Sequence, residues 1–201
     1  MTENIDLLNQ SIDPFVLFSQ WFIEASKKEI NDHNAMNLST ISDNLKPSSR
    51  IVLLKNYNEE GFVFYTNIKS KKGKSFFNNP YVSLNFHWKS LLKQVRIEGK
   101  VNQVSDKEAD EYYITRPVES RIGAWASNQS EELKKIKNLE DNIEFYRNKF
   151  HNKIIKRPPH WTGFRVKPSL IEFWQDMPFR LHDRLEFTKV NDQWLSRKLY
   201  P

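Results

Sequence analysis

The chain has 201 residues, 38% of them hydrophobic, with a net charge of +6, so it is long enough for one domain with a substantial core and basic enough to attract anions. It contains no cysteine, which excludes disulfides, thiolate metal sites and thiol nucleophiles, and its five histidines are scattered with no metal-like spacing, so no metal is expected. No run of ~18 apolar residues occurs and the acidic start Met1–Asp6 has no apolar signal core, so a single soluble, cytoplasmic domain over residues 1–201 is expected.

Asp13-Pro14 reads as an N-cap followed by proline at the first helical position, and Phe15, Phe18 and Phe22 recur at helical spacing to about Ile30. From Ala35 the pattern turns to strands: Met36 to Ile41, Ser49 to Tyr57, a turn at Asn58-Glu59-Glu60-Gly61, then Phe62 to Ile68. Ser70 caps a short helix whose first turn carries Lys71 and Lys72. Lysines there oppose the helix macrodipole by roughly 0.3–1 kcal/mol, so either a bound phosphate offsets the placement or the side chains are simply solvated. Strands Tyr81 to Trp88 and Leu91 to Val104 follow, with Gln94, Arg96 and Glu98 alternating against Val95 and Ile97. Short connections imply a meander.

Ser105-Asp106-Lys107-Glu108 is a capping box that opens a helix running to about Thr115, and Tyr112 and Arg116, four apart, share its face. Residues 117–130 read as a loop rich in small and polar side chains, of a length that often carries function. Ser130 then caps a long helix with the stripe Leu133, Ile136, Ile143, Tyr146 and Phe150. Beyond Pro158-Pro159 come strands Thr162 to Val166, Ser169 to Gln175, Phe179 to Lys189 and Gln193 to Leu199. In the third of these, period-2 alternation puts Arg180, His182 and Arg184 on one face. That face suits an anionic ligand with a planar ring, and it equally suits a solvated basic hairpin. Seven or eight strands with three or four helices give an α+β, mainly β protein: an antiparallel barrel-like sheet with flanking helices.

Several segments share one pattern: Arg50-Ile51-Val52-Leu53-Leu54-Lys55, Phe64-Tyr65-Thr66-Asn67 with Ser70-Lys71-Lys72, Gln94-Val95, Arg116-Pro117 through Ser120, Ile122-Gly123-Ala124-Trp125, Gln129-Ser130, Phe173-Trp174, Arg180-Leu181-His182-Asp183-Arg184 and the closing Arg-Lys-Leu-Tyr-Pro. In that order the sequence, from about Asp13 to Pro201, resembles the pyridoxamine (pyridoxine) 5′-phosphate oxidases. The resemblance implies an FMN-binding split β-barrel, antiparallel and Greek-key-like, that forms a homodimer with FMN at the subunit interface. FMN would be held by Arg50, Ile51, Val52, Leu53, Leu54, Lys55, Tyr65, Thr66, Lys71, Lys72, Gln94, Gln129, Ser130, Trp174 and Arg184. Lys55, Tyr112, Arg116 and Ser120 would meet the substrate phosphate, and Arg180 and His182 would hold its ring and act in catalysis. The implied reaction oxidises C4′ of pyridoxamine or pyridoxine 5′-phosphate to pyridoxal 5′-phosphate, with O2 as acceptor and H2O2 as product.

Three departures from the family pattern stand out. Lys71 replaces a frequent Arg and so loses a bidentate fork, Met1–Gln10 holds no Arg or Lys to cover a substrate, and Asp176-Met177-Pro178-Phe179 replaces a turn that often carries glycine. Three other readings compete: a split-barrel flavoprotein acting on another substrate, a non-enzymatic flavin or pyridoxal phosphate binder, and a nucleic-acid binder, the last suggested only by basicity and aromatics. The motif set favours the oxidase, with neither nucleic acid nor membrane as partner.

Overall fold

The computed structural model describes residues 12–201, so the Met1–Gln10 segment and its lack of basic residues lie outside the described residues. The first helix, α1 (Pro14–Lys28), starts where expected, because the Asp13 carboxylate accepts the N–H of Phe15 at 2.7 Å and Pro14 needs no hydrogen-bond partner. Strands β1 (Ala35–Ile41), β2 (Pro47–Leu53), β3 (Asn56–Asn58) and β4 (Gly61–Asn67) lead to α2 (Lys71–Asn78), whose N-cap is Ser70. Next come β5 (Tyr81–Trp88) and β6 (Lys93–Gln103), then three helices, α3 (Asp106–Thr115), α4 (Val118–Ala126) and α5 (Ile136–Lys149). The chain closes with β7 (Trp161–Gln175), β8 (Asp183–Val190) and β9 (Gln193–Lys198).

The nine strands among the described residues belong to one antiparallel sheet, so the α+β, mainly β class holds. Its order, β2-β1-β5-β6-β7-β4-β3, is not the meander implied by short connections, because β1 pairs with β5 and β4 with β7 across long stretches of sequence. β7 organises the sheet. β6 runs along one of its edges, while the other edge is shared between β4 (at residues 161–166) and β8 (at residues 170–175). The change of partner coincides with a bulge between Glu98 and Gly99 opposite Pro168. A Cβ on Gly99 would sit 2.1 Å from the Lys167 carbonyl oxygen, so only glycine lets the two backbones approach there.

The sheet curls around α1, which plugs it with Phe15, Leu17, Phe18, Trp21 and Ala25. The Phe18 ring lies 4.9 Å from Tyr57 and from Phe62 in edge-on contacts, alongside buried Leu38, Phe86, Ile97 and Phe173. A second cluster, Tyr113, Ile122, Ile155 and Trp161, ties α3, α4 and α5 to the start of β7.

Five expectations are corrected. The 117–130 segment is not a loop, since residues 118–126 form α4, with Ile122 and Ala126 buried four apart; its serine and glycine obscured this amphipathic spacing. Ser130 caps no helix. It lies in a turn at φ 74°, and α5 begins only at Ile136 with no side-chain cap, leaving Leu133 outside the stripe. Residues 49–57 are two strands interrupted at Leu54-Lys55, and residues 161–175 are one strand, because Pro168 falls at the bulge. Finally, β8 starts at Asp183. Phe179 and Arg180 adopt φ 61° and 62°, so Arg180, His182 and Arg184 do not alternate along one strand face.

Candidate functional site

Between β2, β4, α2, α3 and α4 lies a cavity of about 440 Å³. Eleven of the expected site residues line it: Ile51, Val52, Leu53 and Lys55 from the end of β2, Tyr65 and Thr66 from β4, Lys72 from α2, and Tyr112, Arg116, Ser120 and Gln129 from the helical side. Each is placed by an element described above. Ser70 accepts the Gly73 N–H and so starts α2 with Lys72 in its first turn, while Pro117 ends α3 and leaves Arg116 at its C-cap, four residues after Tyr112.

The electrostatics of this cavity are one-sided. Lys72 is only 9% exposed, and its ammonium donates to Gln129 Oε1 at 2.9 Å, which also accepts from Thr66 Oγ1 at 3.2 Å. Burial, and then the nearby Arg50 guanidinium, push the Lys72 ammonium down to about 8. Arg116 lies 4.6 Å over the Trp161 ring, its Nη1 is buried without a hydrogen-bond partner, and burial lowers its pKa. Among the described residues no carboxylate pairs with Lys55, Lys72 or Arg116. A buried cation without a counter-ion is expensive, and with Lys72 buried and Arg116 half-buried the cavity favours anions. The tyrosines support that: burial above all pushes Tyr65 up to about 12 and raises Tyr112, so both keep their hydroxyl protons and remain donors at neutral pH.

The other expected residues lie elsewhere. The Arg50 guanidinium turns to its own strand pair, donating to Thr40 Oγ1 at 2.8 Å and Ser48 Oγ at 2.7 Å, and acts on the cavity through its charge on Lys72. Leu54 is core, and Lys71 is exposed on the outer side of α2. Ser130 adjoins the cavity through Gln129 in a neighbouring polar groove. Gln94, Trp174 and Arg184 form a row in cross-strand register over β6, β7 and β8. Arg184 is fixed there by Glu172 at 2.7 Å and the Tyr200 carbonyl at 2.9 Å, and its pKa is raised chiefly by the bond to Glu172. The His182 ring packs 4.6 Å from Trp174, and exposed Arg180 sits in the preceding turn.

Trp161 in the cavity and Trp174 in the row stand at opposite ends of β7. Thirteen steps of ~3.3 Å put about 40 Å of strand between them. Gln94, Trp174 and Arg184 stand outside the lining of the cavity that gathers eleven of the other expected residues. Sequence reasoning missed Asn67, Gly123, Ala124, Ser127 and Trp161 as cavity residues. Asn67 follows Tyr65-Thr66 on the same strand, and Trp161 stacks with Tyr65 (5.2 Å) and Tyr112 (6.2 Å), a three-ring pile that only the fold brings together.

Residues 22–150 match the family model described as pyridoxamine 5′-phosphate oxidase, and residues 161–201 match the pyridoxine 5′-phosphate oxidase C-terminal dimerisation region. Proteins named pyridoxine/pyridoxamine 5′-phosphate oxidase from Brucella canis and Brucella suis are each 49% identical over 203 residues, covering 100% of both chains. Among solved structures, PhzG from Burkholderia lata 383, in complex with tetrahydrophenazine-1-carboxylic acid, has a TM-score of 0.89 at 26% identity, covering 94% of this chain and 93% of that one. A pyridoxamine 5′-phosphate oxidase-related, FMN-binding protein from Nostoc punctiforme shares the fold at a TM-score of 0.75 and 14% identity, covering 96% of this chain and 100% of that one. The curled antiparallel sheet is thus the split barrel of those FMN-binding folds, and the chain belongs to the pyridoxamine 5′-phosphate oxidase family of oxidoreductases.

Proposed function

We propose that this protein is an FMN-dependent oxidase that converts pyridoxamine 5′-phosphate or pyridoxine 5′-phosphate to pyridoxal 5′-phosphate, with O2 as acceptor and H2O2 as product. The observation that carries this reading is the pair of cations without a carboxylate partner in one cavity, buried Lys72 and half-buried Arg116, one for each of two phosphates. Lys72, with the charge of Arg50 behind it and Thr66 and Gln129 beside it, would hold the phosphate of FMN. The exposed backbone of residues 51–53 would face its ring. Arg116, Tyr112, Ser120 and Lys55 would hold the substrate phosphate, with the Trp161 and Tyr112 rings walling that side.

FMN, when bound, supplies the hydride acceptor and the centre at which O2 is reduced. The chain supplies alignment, which can contribute ~7–11 kcal/mol of barrier lowering, and removal of water from the reacting face. Gln94, Trp174 and Arg184, with Arg180 and His182 toward the substrate ring, belong to the same site. Their absence from the cavity's lining supports a homodimer in which each copy completes the other's site, in keeping with the dimerisation region matched at 161–201. We read the chain as one unit, since the sheet runs through both matched segments.

PhzG is described in complex with tetrahydrophenazine-1-carboxylic acid, a fused-ring carboxylic acid. The two cationic subsites here favour a phosphorylated substrate on a phosphorylated cofactor. Protein reconstituted with FMN should form pyridoxal 5′-phosphate and H2O2 from pyridoxine 5′-phosphate and leave unphosphorylated pyridoxine almost untouched. Binding without turnover, or equal turnover of both, would defeat the proposal.

A further inference from the structure

Glu172, three residues before the end of β7, is the most deeply buried carboxylate among the described residues, at 2% exposure. Register pairs it with Arg96 on β6 and with Glu186 on β8, and Glu186 in turn with Arg197 on β9. Two carboxylates side by side repel, so each needs a cation of its own. Arg197 Nε donates to Glu186 Oε1 at 2.7 Å, which leaves Glu172 to Arg96 and Arg184.

Those two guanidiniums are not equivalent. Arg184 Nε donates to Glu172 Oε1 at 2.7 Å in a formed hydrogen bond. Arg96 Nη1 lies 3.1 Å from Oε2 as an ion pair only, since Oε2 has no hydrogen-bond partner among the described residues, and Arg96 Nη2 donates to Glu98 at 3.2 Å. The directed bond of this carboxylate therefore goes to Arg184.

A guanidinium presents its N–H donors in a rigid planar fork. Arg184 spends Nε on Glu172 and one Nη1 proton on the Tyr200 carbonyl at 2.9 Å, and Nη2 has no partner among the described residues. Two bonds on different nitrogens fix the plane and its rotation, so the direction of the open Nη2 is set by Glu172 and the Tyr200 backbone. Stability alone does not account for the buried acid. The strands around Glu172 are already joined by their backbone ladders, and a buried ion pair adds little over well-packed apolar side chains.

We propose that Glu172 is a positioning residue for the flavin: buried and out of reach of any ligand itself, it holds Arg184 through Nε so that Nη2 is presented to FMN. Outer groups that orient the group meeting a cofactor are a general device. The inference rests on the reading of Arg184 as an FMN contact.

The test uses the full chain loaded with FMN and follows flavin release on dilution by the recovery of free FMN fluorescence. Arg184→Ala should weaken retention about tenfold or more, and Glu172→Gln, close in shape but uncharged, on the order of three- to tenfold. Glu172→Leu, which has no acceptor, should match Arg184→Ala; the Gln variant decides the matter if Leu beside unpaired arginines does not fold. Adding Glu172→Gln to Arg184→Ala should cause no further loss, whereas a carboxylate that merely stapled the strands would add its own. Wild-type retention in Glu172→Gln, or additive losses in the double variant, would each overturn the inference. If Arg184→Ala itself retains FMN as the wild type does, the underlying site reading fails; if Arg184→Ala is impaired and Glu172→Gln is not, only the present inference fails.

Discussion

At the scale of single residues, Lys72 makes the sharpest claim. With its ammonium depressed to about 8 by burial and Arg50, the ligand-free protein holds it charged at pH 6 to 7 and loses that charge as pH rises through about 8. A bound phosphate stabilises the charged form. Affinity for FMN should therefore be greatest near pH 7, where the phosphate (second pKa about 6) is ionised, and weaken by up to about tenfold per pH unit above about 8, until the pKa of the complex is reached. Ultrafiltration of the flavin-loaded protein across that range measures it, and Lys72→Ala should bind more weakly with a much flatter profile. A steep profile that survives in Lys72→Ala would assign the titration to another group. Arg116 addresses the other phosphate: losing a charge-assisted bond worth ~1.5–3 kcal/mol should raise KM for pyridoxine 5′-phosphate on the order of 10- to 100-fold. Flavin content in Arg116→Ala should not change.

At the scale of elements, α2 is held against the sheet by a contact that tolerates no side chain. A Cβ on Gly73 would meet the Ile68 carbonyl oxygen at 2.3 Å, so Gly73→Ala must push the helix outward and carry Lys72 with it. Overpacking of this kind costs about 1–3 kcal/mol, so chemical denaturation should show a lower midpoint together with weaker FMN retention. An unchanged midpoint would mean that α2 can shift freely. Elements with strong local signals were legible in the sequence: Asp13-Pro14 and Ser105 start their helices where capping chemistry puts them, as does Ser70, whose helix raised the phosphate question from two lysines alone. What failed depended on partners far away in the chain. Pro168 looks like a strand break until Gly99 is placed opposite it, and the 118–126 helix is hidden by Ser120 and Gly123 until Ile122 and Ala126 are seen to bury. Arg180, His182 and Arg184 suggested a strand face because period 2 fits them, but two left-handed residues intervene.

At the scale of the whole molecule, the motif set was legible but its division was not: Gln94, Trp174 and Arg184 come together with one another and lie outside the lining that gathers Lys72 and Arg116. Only register reveals that. If the halves meet across two copies, Arg116→Ala and His182→Ala each damage a different half, and mixed dimers carry one intact site. Co-expressed and randomly assorted, the two variants should recover about a quarter of wild-type activity, since half the dimers are mixed and each has one good site. Activity no higher than the mean of the separate variants would mean that each site is built within one chain.

Trp161 has a use beyond supporting Arg116. It lies nearly parallel to Tyr65 and Tyr112, at interplanar angles of 10° and 6°, and it is the one tryptophan of six that lines the cavity among the described residues. Indole emission overlaps flavin absorption, so a yellow ligand in that cavity would draw light energy from this ring. The protein would thus carry its own optical gauge of occupancy: filling the site with flavin should dim its ultraviolet fluorescence, and the part of that dimming lost in Trp161→Phe should report this cavity.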